Sequence, residues 1–434
     1  MTLPAPSRRP RRLWLVLIPL GLGLLLCALA AVSIGSSFLK PPASASAANT
    51  LTIVSDLPLS GGEATQAIVR AMTLRLDQAG GRACAGRFNI HYESWDDASA
   101  AAGDWDPAVE TANAHKAAAD PSIVAYLGPF NSGAAKLSIP ILDQAGPLLM
   151  VSLGNTYPGL TKTIGAAPGE PDVYYPAHVR NYVRLTPSDD VQGAADARFI
   201  HDQLNARTVY LLDDSEPYGA GIADAFQAAA GPLGLTVLGR ASLAPNAANY
   251  QILMGRISLS NAGRPPDAIF VGMLIENNAS QVLKDKVSVM GDNTAVKYMG
   301  PAGIRVPAFI EGAGARVAEG VYASQPGLPS EQMPAVTQQF QRAYDAKYGG
   351  RLSDLNAAYG YEAMNVALAG IESVCAAGGN PADRRAVRDA VFGLKDFNGA
   401  LGPWSLDANG DTSLTGTSIY QVQGGRFVAV GQTQ

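Results

Sequence analysis

Three polar loops hold the residues whose types and spacing are best suited to binding a small charged molecule. The loops are 128–133, 152–156 and 271–276, and each follows an apolar run. Free backbone N–H groups at a helix start, together with the Ser132 hydroxyl, would bind a carboxylate. Glu276 would hold an ammonium group through charge-assisted hydrogen bonds. Ordinary turn and cap chemistry explains each loop better when it is taken alone, but together the loops are typical of an α-amino-acid receptor.

Catalytic and metal-binding motifs are absent from the sequence. It contains no GxSxG, Walker A, GxGxxG, HExxH or CxxC pattern, and its three Cys and four His are scattered. Acidic pairs such as Asp96/Asp97 and Asp213/Asp214 are better explained as helix caps or surface charges than as acid–base pairs. The usual sequence evidence for an enzyme is therefore missing, and an exported enzyme would need a nucleophile and base that meet only in the folded protein. We expect a binding protein with no cofactor and no metal ion.

Elements that would position these loops alternate along the chain after Asn49. An apolar strand at 122–127 precedes a helical stretch at 133–144, and a strand at 267–271 precedes a helical stretch at 276–290. This alternation is typical of βαβ units and of parallel sheets that are covered on both faces. About ten such pairs are too many for one sheet, so the sequence predicts an α/β fold with two doubly wound domains. The polar loops would then meet at the carboxyl ends of the strands.

Residues 1–48 are predicted to be a signal peptide or a membrane anchor followed by a linker. A basic block at 8–12 precedes the uncharged run 13–35, whose 23 residues can span a bilayer as a helix. Small-residue patterns at 43–47 offer a peptidase site, so cleavage and an uncleaved anchor both stay open. In either case the chain from about Asn49 onward is expected to be exported.

Charge and cysteine content add two expectations about the exported part. The formal net charge is −5, and the first 47 residues hold five basic side chains and no acid, so the remainder is more acidic still. An acidic surface repels phosphate backbones, which disfavours a nucleic-acid partner. Cys84 and Cys375 could form one disulfide outside the cytoplasm, or they could remain two unpaired small apolar side chains. The bridge is slightly favoured.

Ordered blocks of sequence resemble the branched-chain amino-acid binding proteins of bacterial ABC transporters. The blocks are 126–132 (YLGPFNS), 139–146 (IPILDQAG), 155–161 (NTYPGLT), 182–193 (YVRLTPSDDVQG), 209–221 (VYLLDDSEPYGAG), 298–303 (YMGPAG), 318–322 (AEGVY) and 401–411 (LGPWSLDANGD). They extend over nearly the whole exported chain. The resemblance implies a type I periplasmic-binding-protein fold, in which two α/β lobes are joined by three crossover strands and close on a ligand by a hinge motion.

This resemblance also implies a division of the chain between the two lobes. The first lobe would contain residues 49–184 and 300–402, and the second lobe residues 185–299 and 403–434. The crossings would lie near residues 182–187, 298–303 and 399–404. An N-terminal hydrophobic helix would precede both lobes.

Six candidate ligand-binding residues follow from the same resemblance. A serine and a threonine of the family's loops bind the ligand's α-carboxylate and amino group, and they match Ser132 and Thr156. Backbone groups of Gly154 and Asn155 lie beside them in the sequence. Tyr218 matches a tyrosine that packs over the ligand.

Glu276 matches the family acid that contacts the ammonium group. Three departures leave the side-chain specificity open. The loop 58–63 lacks an aromatic residue, Ala302 stands where an acid is common, and the segments 95–106 and 161–175 have the character of insertions.

These observations predict an exported solute-binding protein. It would capture a small amino acid, of the branched-chain type first, and deliver it to an ABC permease. Its partners would be that amino acid, the permease subunits and, through the first helix, the membrane. A membrane-tethered ectodomain that senses a ligand and signals through a partner protein is the alternative.

Overall fold

The computed structural model describes residues 49–245, 247–329, 332–349 and 356–433. The predicted signal peptide or anchor at residues 1–48 lies outside them. In the described ranges, no helix is both long enough and apolar enough to cross a membrane. The chain forms two α/β lobes, and each is built on its own sheet. The prediction of two lobes with parallel sheets is therefore confirmed.

The sheet of the first lobe has six strands in the order β2-β3-β1-β4-β5-β6. The strands are β1 (Thr50–Leu57), β2 (Arg82–Ala83), β3 (Phe88–Asp96), β4 (Ile123–Leu127), β5 (Leu149–Ser152) and β6 (Tyr182–Arg184). All neighbours pair in parallel except the edge strand β2, which is antiparallel to β3. Every residue of β4 is buried, as expected for a strand covered on both faces.

The sheet of the second lobe has seven strands in the order β15-β14-β11-β10-β9-β7-β8. The strands are β7 (Thr208–Asp213), β8 (Thr236–Ser242), β9 (Ala268–Gly272), β10 (Lys297–Gly300), β11 (Tyr322–Pro326), β14 (Thr417–Gln423) and β15 (Arg426–Thr433). The last two form an antiparallel hairpin that adds to a parallel sheet. Gly424 and Gly425 connect them with positive φ angles, which a tight hairpin turn requires.

Helices cover both faces of each sheet. They are α1 (Glu63–Gln78), α2 (Pro107–Ala119), α3 (Ser132–Asp143), α4 (Asp189–Arg198), α5 (Pro217–Leu233), α6 (Gln251–Ile257), α7 (Ala279–Met290), α8 (Pro307–Ala313), α9 (Ala315–Ala318), α10 (Ala335–Tyr348), α11 (Asn356–Ala376) and α12 (Arg384–Phe392). In the first lobe, α1, α10, α11 and α12 pack on one face and α2 and α3 on the other. In the second lobe, α6, α7 and α8 cover one face and α4 and α5 the other.

The chain passes between the lobes three times, and the second passage differs from the predicted one. The passages follow β6, β11 and the short ribbon β12 (Phe397–Gly399) and β13 (Gly402–Trp404). Residues 300–402 were assigned to the first lobe, yet β11 pairs in parallel with β10. The segment that becomes β11 is short and includes Gln325 and Pro326, so no apolar run marks it as a strand.

The last predicted boundary is also displaced. Residues 403–434 were assigned to the second lobe, but Trp404 and Leu406 are buried in the core of the first lobe. The second sheet resumes only at Thr417, where β14 begins.

A disulfide joins Cys84 and Cys375, whose Cα atoms are 5.7 Å apart. Cys84 directly follows the edge strand β2, and Cys375 lies in α11. The bond therefore fastens a helix from late in the chain to the edge of the first sheet.

Candidate ligand-binding cleft

A cleft opens between the two lobes. The loops that line it follow the carboxyl ends of strands in both sheets, where open α/β sheets bind their ligands. Residues from the first lobe include Asp104, Asn131, Ser132, Gly154 and Thr156, and residues from the second include Tyr218, Leu274, Ile275, Glu276 and Gly303. Thr186 lines it where the chain first passes between the lobes, and Gln192 lines it from α4 of the second lobe. The cleft therefore brings together five of the six predicted site residues.

Ser132 joins two loops of the first lobe. It is the first residue of α3, and its Oγ accepts hydrogen bonds from the backbone N–H groups of Thr156 and Tyr157, both at 3.3 Å. Its hydroxyl proton remains available to a ligand. The wall of the first lobe thus combines two hydroxyl groups, those of Ser132 and Thr156, with the amino end of a helix, where a negative charge is favoured.

Gly154 permits the close approach of these two loops. A Cβ atom at this position would lie 2.7 Å from the ring of Phe130 and 3.0 Å from its carbonyl oxygen. A larger residue would therefore push the loops apart.

Asn155 is the predicted site residue that does not line the cleft. It is fully buried, and its Nδ2 donates to the carbonyl oxygens of Pro129 at 3.0 Å and Phe130 at 2.9 Å. Its backbone N–H donates to Ser152 Oγ at 3.0 Å, so that group is not free to bind a ligand. Asn155 therefore fixes one loop of the cleft wall against the other.

On the second lobe, the buried carboxylate of Asp214 organises the loop that carries Glu276. It accepts hydrogen bonds from the N–H of Leu274 and from Asn277 Nδ2, both at 2.9 Å. The predicted helix 276–290 begins later than expected. A short 3-10 turn at Ile275–Asn277 is followed by Asn278 in the left-handed region, at φ 71°, and only then by α7. Glu276 is therefore presented on a turn.

Tyr218 lies beside this turn and is held by a backbone donor. The N–H of Gly303 donates to its phenol oxygen at 3.1 Å. Burial raises the pKa of Tyr218, so the group stays neutral. Its phenol proton can then be offered to a ligand oxygen.

The electrostatic character of the cleft is acidic. Solvent reaches Glu276, but enclosure by the cleft walls and the negative charge of Asp104 raise its pKa to about 7. Burial likewise raises the pKa of Asp104 above its ordinary value. Among the described residues that line the cleft, none is Lys, Arg or His.

Asp104, Asn131 and Gln192 are cleft residues that the sequence reasoning did not single out. Asp104 lies in the segment 95–106, which was classed as an insertion, and it reaches the cleft because that segment continues from the carboxyl end of β3. A search of every segment that follows a strand of the first sheet would have found it. Gln192 lies within α4, where no local pattern distinguishes it from a surface residue.

A buried ion pair lies where the chain first passes between the lobes. Arg184 is fully buried and donates from Nε and Nη2 to Asp411 Oδ1, at 3.0 and 2.7 Å. Although burial favours the protonated acid, the charges of Arg184 and Lys162 hold the pKa of Asp411 below its ordinary value. Arg184 Nη1 also donates to the carbonyl oxygen of Tyr157, beside the ligand-facing loop, at 2.8 Å.

A second group of acids lies inside the first lobe. Asp56, Asp97 and Glu110, which we call the buried triad, are fully buried, with carboxylate oxygens within 4.8 Å of one another. Asp56 accepts hydrogen bonds from Tyr126 and Asn113, at 2.6 and 2.9 Å. Such a spacing suits shared protons or a cation.

Burial, with like charges nearby, raises the pKa of Asp97 to about 8 and that of Asp56 to about 6. Asp56 and Asp97 therefore take up a proton at a higher pH than an exposed aspartate does. None of the three acids belongs to the cleft lining.

The fold and the interlobe cleft define a two-lobe ligand-binding protein, and comparison with known proteins identifies its family. A sequence model of the periplasmic binding protein family matches residues 50–426. The chain belongs to this family, which confirms the resemblance seen in the sequence. Membership also places the protein outside the cytoplasm.

Individual relatives are similar at a lower level. BraC3, a Leu/Ile/Val-binding protein of Rhizobium johnstonii, is 24% identical over 312 residues, which are 70% of this chain and 74% of that protein. A leucine-binding protein of Thermotoga maritima aligns with a TM-score of 0.72 at 21% identity, over 88% of this chain and 99% of that one. A solute-binding protein of R. palustris in complex with 4-hydroxybenzoate aligns with a TM-score of 0.71 at 16% identity, over 89% and 97% of the two chains.

Proposed function

We propose that this protein is the solute-binding component of an ABC transporter, and that it captures a free α-amino acid between its lobes and delivers it to a permease. One observation carries the proposal. The residues that line the cleft include hydroxyl groups and the amino end of a helix on the first lobe and the carboxylate of Glu276 on the second lobe. An α-amino acid has the matching pair of charges, a carboxylate and an ammonium group.

In this arrangement Ser132 and Thr156 would bind the ligand's carboxylate, assisted by the amino end of α3. Glu276 would accept hydrogen bonds from the ammonium group, and Tyr218 would close over the ligand. Donors on one lobe and an acceptor on the other are satisfied together only when the lobes close around the ligand. Binding would therefore shift the protein from open to closed forms, which a permease can distinguish.

Relatives supply the first set of ligands to test. The names of BraC3 and of the T. maritima protein specify branched-chain amino acids, whereas the R. palustris protein holds an aromatic acid. An aromatic acid has no ammonium group for Glu276 to bind. The acid in the cleft therefore favours amino acids.

Tethering by the run 13–35 remains part of the proposal. If this run is an uncleaved anchor, the protein would remain in the membrane fraction after washing with high salt. Release of a shortened chain into the soluble fraction would show cleavage instead.

The function is tested with the full-length chain purified in detergent and titrated with all amino acids and several benzoates. A ligand that binds only the native state raises the melting temperature. We expect an amino acid to do so, and Glu276→Gln to weaken its binding by at least about a hundredfold, because a desolvated charge pair loses one partner.

Glu311→Gln serves as the matched control, since it removes one charge from an exposed helical position outside the cleft. Binding of benzoates alone, or an unchanged affinity in Glu276→Gln, would contradict the proposal.

A further inference from the structure

Asp104 occupies a built position at the rim of the cleft. Its segment is tied to the sheet because the N–H of Asp106 donates to the carbonyl oxygen of Asp97 at 2.7 Å, and the N–H of Ser99 donates to that of Asp104 at 3.2 Å. Asp104 Oδ2 accepts a hydrogen bond from Asn131 Nδ2 at 3.3 Å. The carboxylate is therefore held in place beside Ser132.

Asn131 adds a second acceptor at the same point. Its side chain is 8% exposed and lines the cleft, and Oδ1 has no hydrogen-bond partner in the protein. Since Nδ2 is committed to Asp104, Oδ1 must be the free end of the amide. A buried acceptor without a donor is costly, so this oxygen is poised for a donor that a ligand brings.

Gln192 repeats this arrangement deeper in the cleft. It is fully buried and donates from Nε2 to Ser324 Oγ at 2.7 Å, while its Oε1 has no partner. Two separate elements that line the cleft thus hold buried acceptors without a partner.

The charges on the two lobes repel one another across the cleft. Burial raises the pKa of Glu276 and of Glu216 on the second lobe, and the negative charge of Asp104 on the first lobe adds to both shifts, after that of Asp214 for Glu216. Glu216 Oε2 lies 3.4 Å from the position that a Cβ on Gly133 would occupy, so this acid borders the first lobe directly. A simple zwitterion brings one ammonium group for Glu276 and leaves Asp104 without a counter-charge near the ligand's carboxylate.

We propose that the ligand is an α-amino acid whose side chain carries a second cationic group, and that Asp104 and Asn131 Oδ1 bind this group. The inference rests on the amino-acid recognition proposed above and specifies its side chain. Asp104 would act as a specificity-determining residue, because its carboxylate favours the binding of a ligand with a cationic side chain over one with a neutral side chain. Closure with such a ligand would replace repulsion between the lobes with two charge-assisted contacts.

Calorimetric titration of the full-length chain in detergent tests this inference. The probes are L-lysine and L-ornithine, with N6-acetyl-L-lysine and L-norleucine as uncharged counterparts of similar length. We expect the dibasic amino acids to bind at least about tenfold more tightly than the uncharged ones, a difference of about 1.4 kcal/mol. Asp104→Asn is expected to abolish this preference, because the dibasic amino acids lose at least about tenfold in affinity while norleucine loses none. Glu311→Gln should preserve the preference.

Other outcomes would overturn the inference and can be told apart. If branched-chain amino acids bind best and Asp104→Asn leaves the order unchanged, the side-chain assignment is wrong while the proposed function stands. If Asp104→Asn weakens every ligand equally, the residue shapes the loop and does not select charge. If no amino acid binds, both proposals fail. A melting curve of unliganded Asp104→Asn that matches the wild-type curve establishes that the variant is folded.

Discussion

The buried triad of the first lobe and the carboxylates of the cleft show two uses of the same chemical group. Asp97 in the triad and Glu276 in the cleft both have a raised pKa, to about 8 and about 7. Asp97 is fully buried in the protein, whereas solvent reaches Glu276. A proton or a permanently bound cation can neutralise the first group, but an exchangeable ligand can neutralise the second.

The comparison teaches that a raised pKa alone does not identify a ligand site. Access to the group decides what relieves its charge. Asp411 completes the comparison, since its cation, Arg184, belongs to the chain and its pKa is lowered. The charge of Asp411 is thus compensated by a cation of the protein. The charge of Asp97 can be compensated by a proton, and that of Glu276 by a ligand.

Removing Asp411, whose counter-charge is Arg184 of the same chain, is expected to have the largest effect on stability. Asp411→Ala leaves Arg184 buried without its partner, so we expect the free energy of unfolding to fall by about 3–5 kcal/mol. Urea denaturation measures this change. Replacing both residues, as Arg184→Met/Asp411→Leu, should recover much of the loss, because no unpaired charge remains. A cost below about 1 kcal/mol for Asp411→Ala would show that Arg184 finds other partners.

Changing the triad should alter the free energy of unfolding by a smaller amount and should raise it. The raised pKa means that folded Asp97 keeps a proton that the unfolded chain releases, so stability falls as the pH rises from about 4 to about 8. Asp97→Asn removes this penalty. It should stabilise the protein by about 1–3 kcal/mol at pH 8.5 and have little effect at pH 4. Destabilisation at both pH values, as followed by urea denaturation, would indicate that a cation occupies the triad instead.

The smallest effect concerns the pH dependence of ligand binding. Glu276 must be ionised to bind an ammonium group, and its pKa of about 7 is raised by enclosure and by the facing charges of Asp104 and Asp214. Affinity for the amino acid should therefore rise about tenfold between pH 6 and pH 8, as measured by calorimetry at constant ionic strength. In Glu276→Gln, the residual binding that can still be measured should not depend on pH over this range. An affinity that falls over this range would contradict the assigned role.

The sequence predicted the elements whose own residues determine them. The all-apolar run of β4 and the loop that follows it predicted both a buried parallel strand and the position of Ser132, because burial and helix initiation are local properties. The strand β11 was missed because its residues show no apolar run and its pairing with β10 depends on the rest of the sheet.

Asp104 and Asn155 show the same limit of sequence-based prediction at the candidate site. Asp104 reaches the cleft through the path of a long loop, which periodicity does not describe. Asn155 stands in a motif that matches the family, but its hydrogen bonds direct it into the protein. Motif positions therefore located the loops that line the cleft, while the direction of each side chain required three-dimensional contacts.

The Cys84–Cys375 disulfide has a consequence for how the second lobe is attached. It closes a covalent ring between residues separated by 291 positions, and this ring contains the first five strands of the second sheet. A protease that cuts once within these strands' connecting loops would leave a single covalent molecule until the bond is reduced. Both ends of the segment that contains these strands are therefore fixed to each other in the first lobe. Cycles of opening and closing consequently cannot separate α11 from the edge of the first sheet.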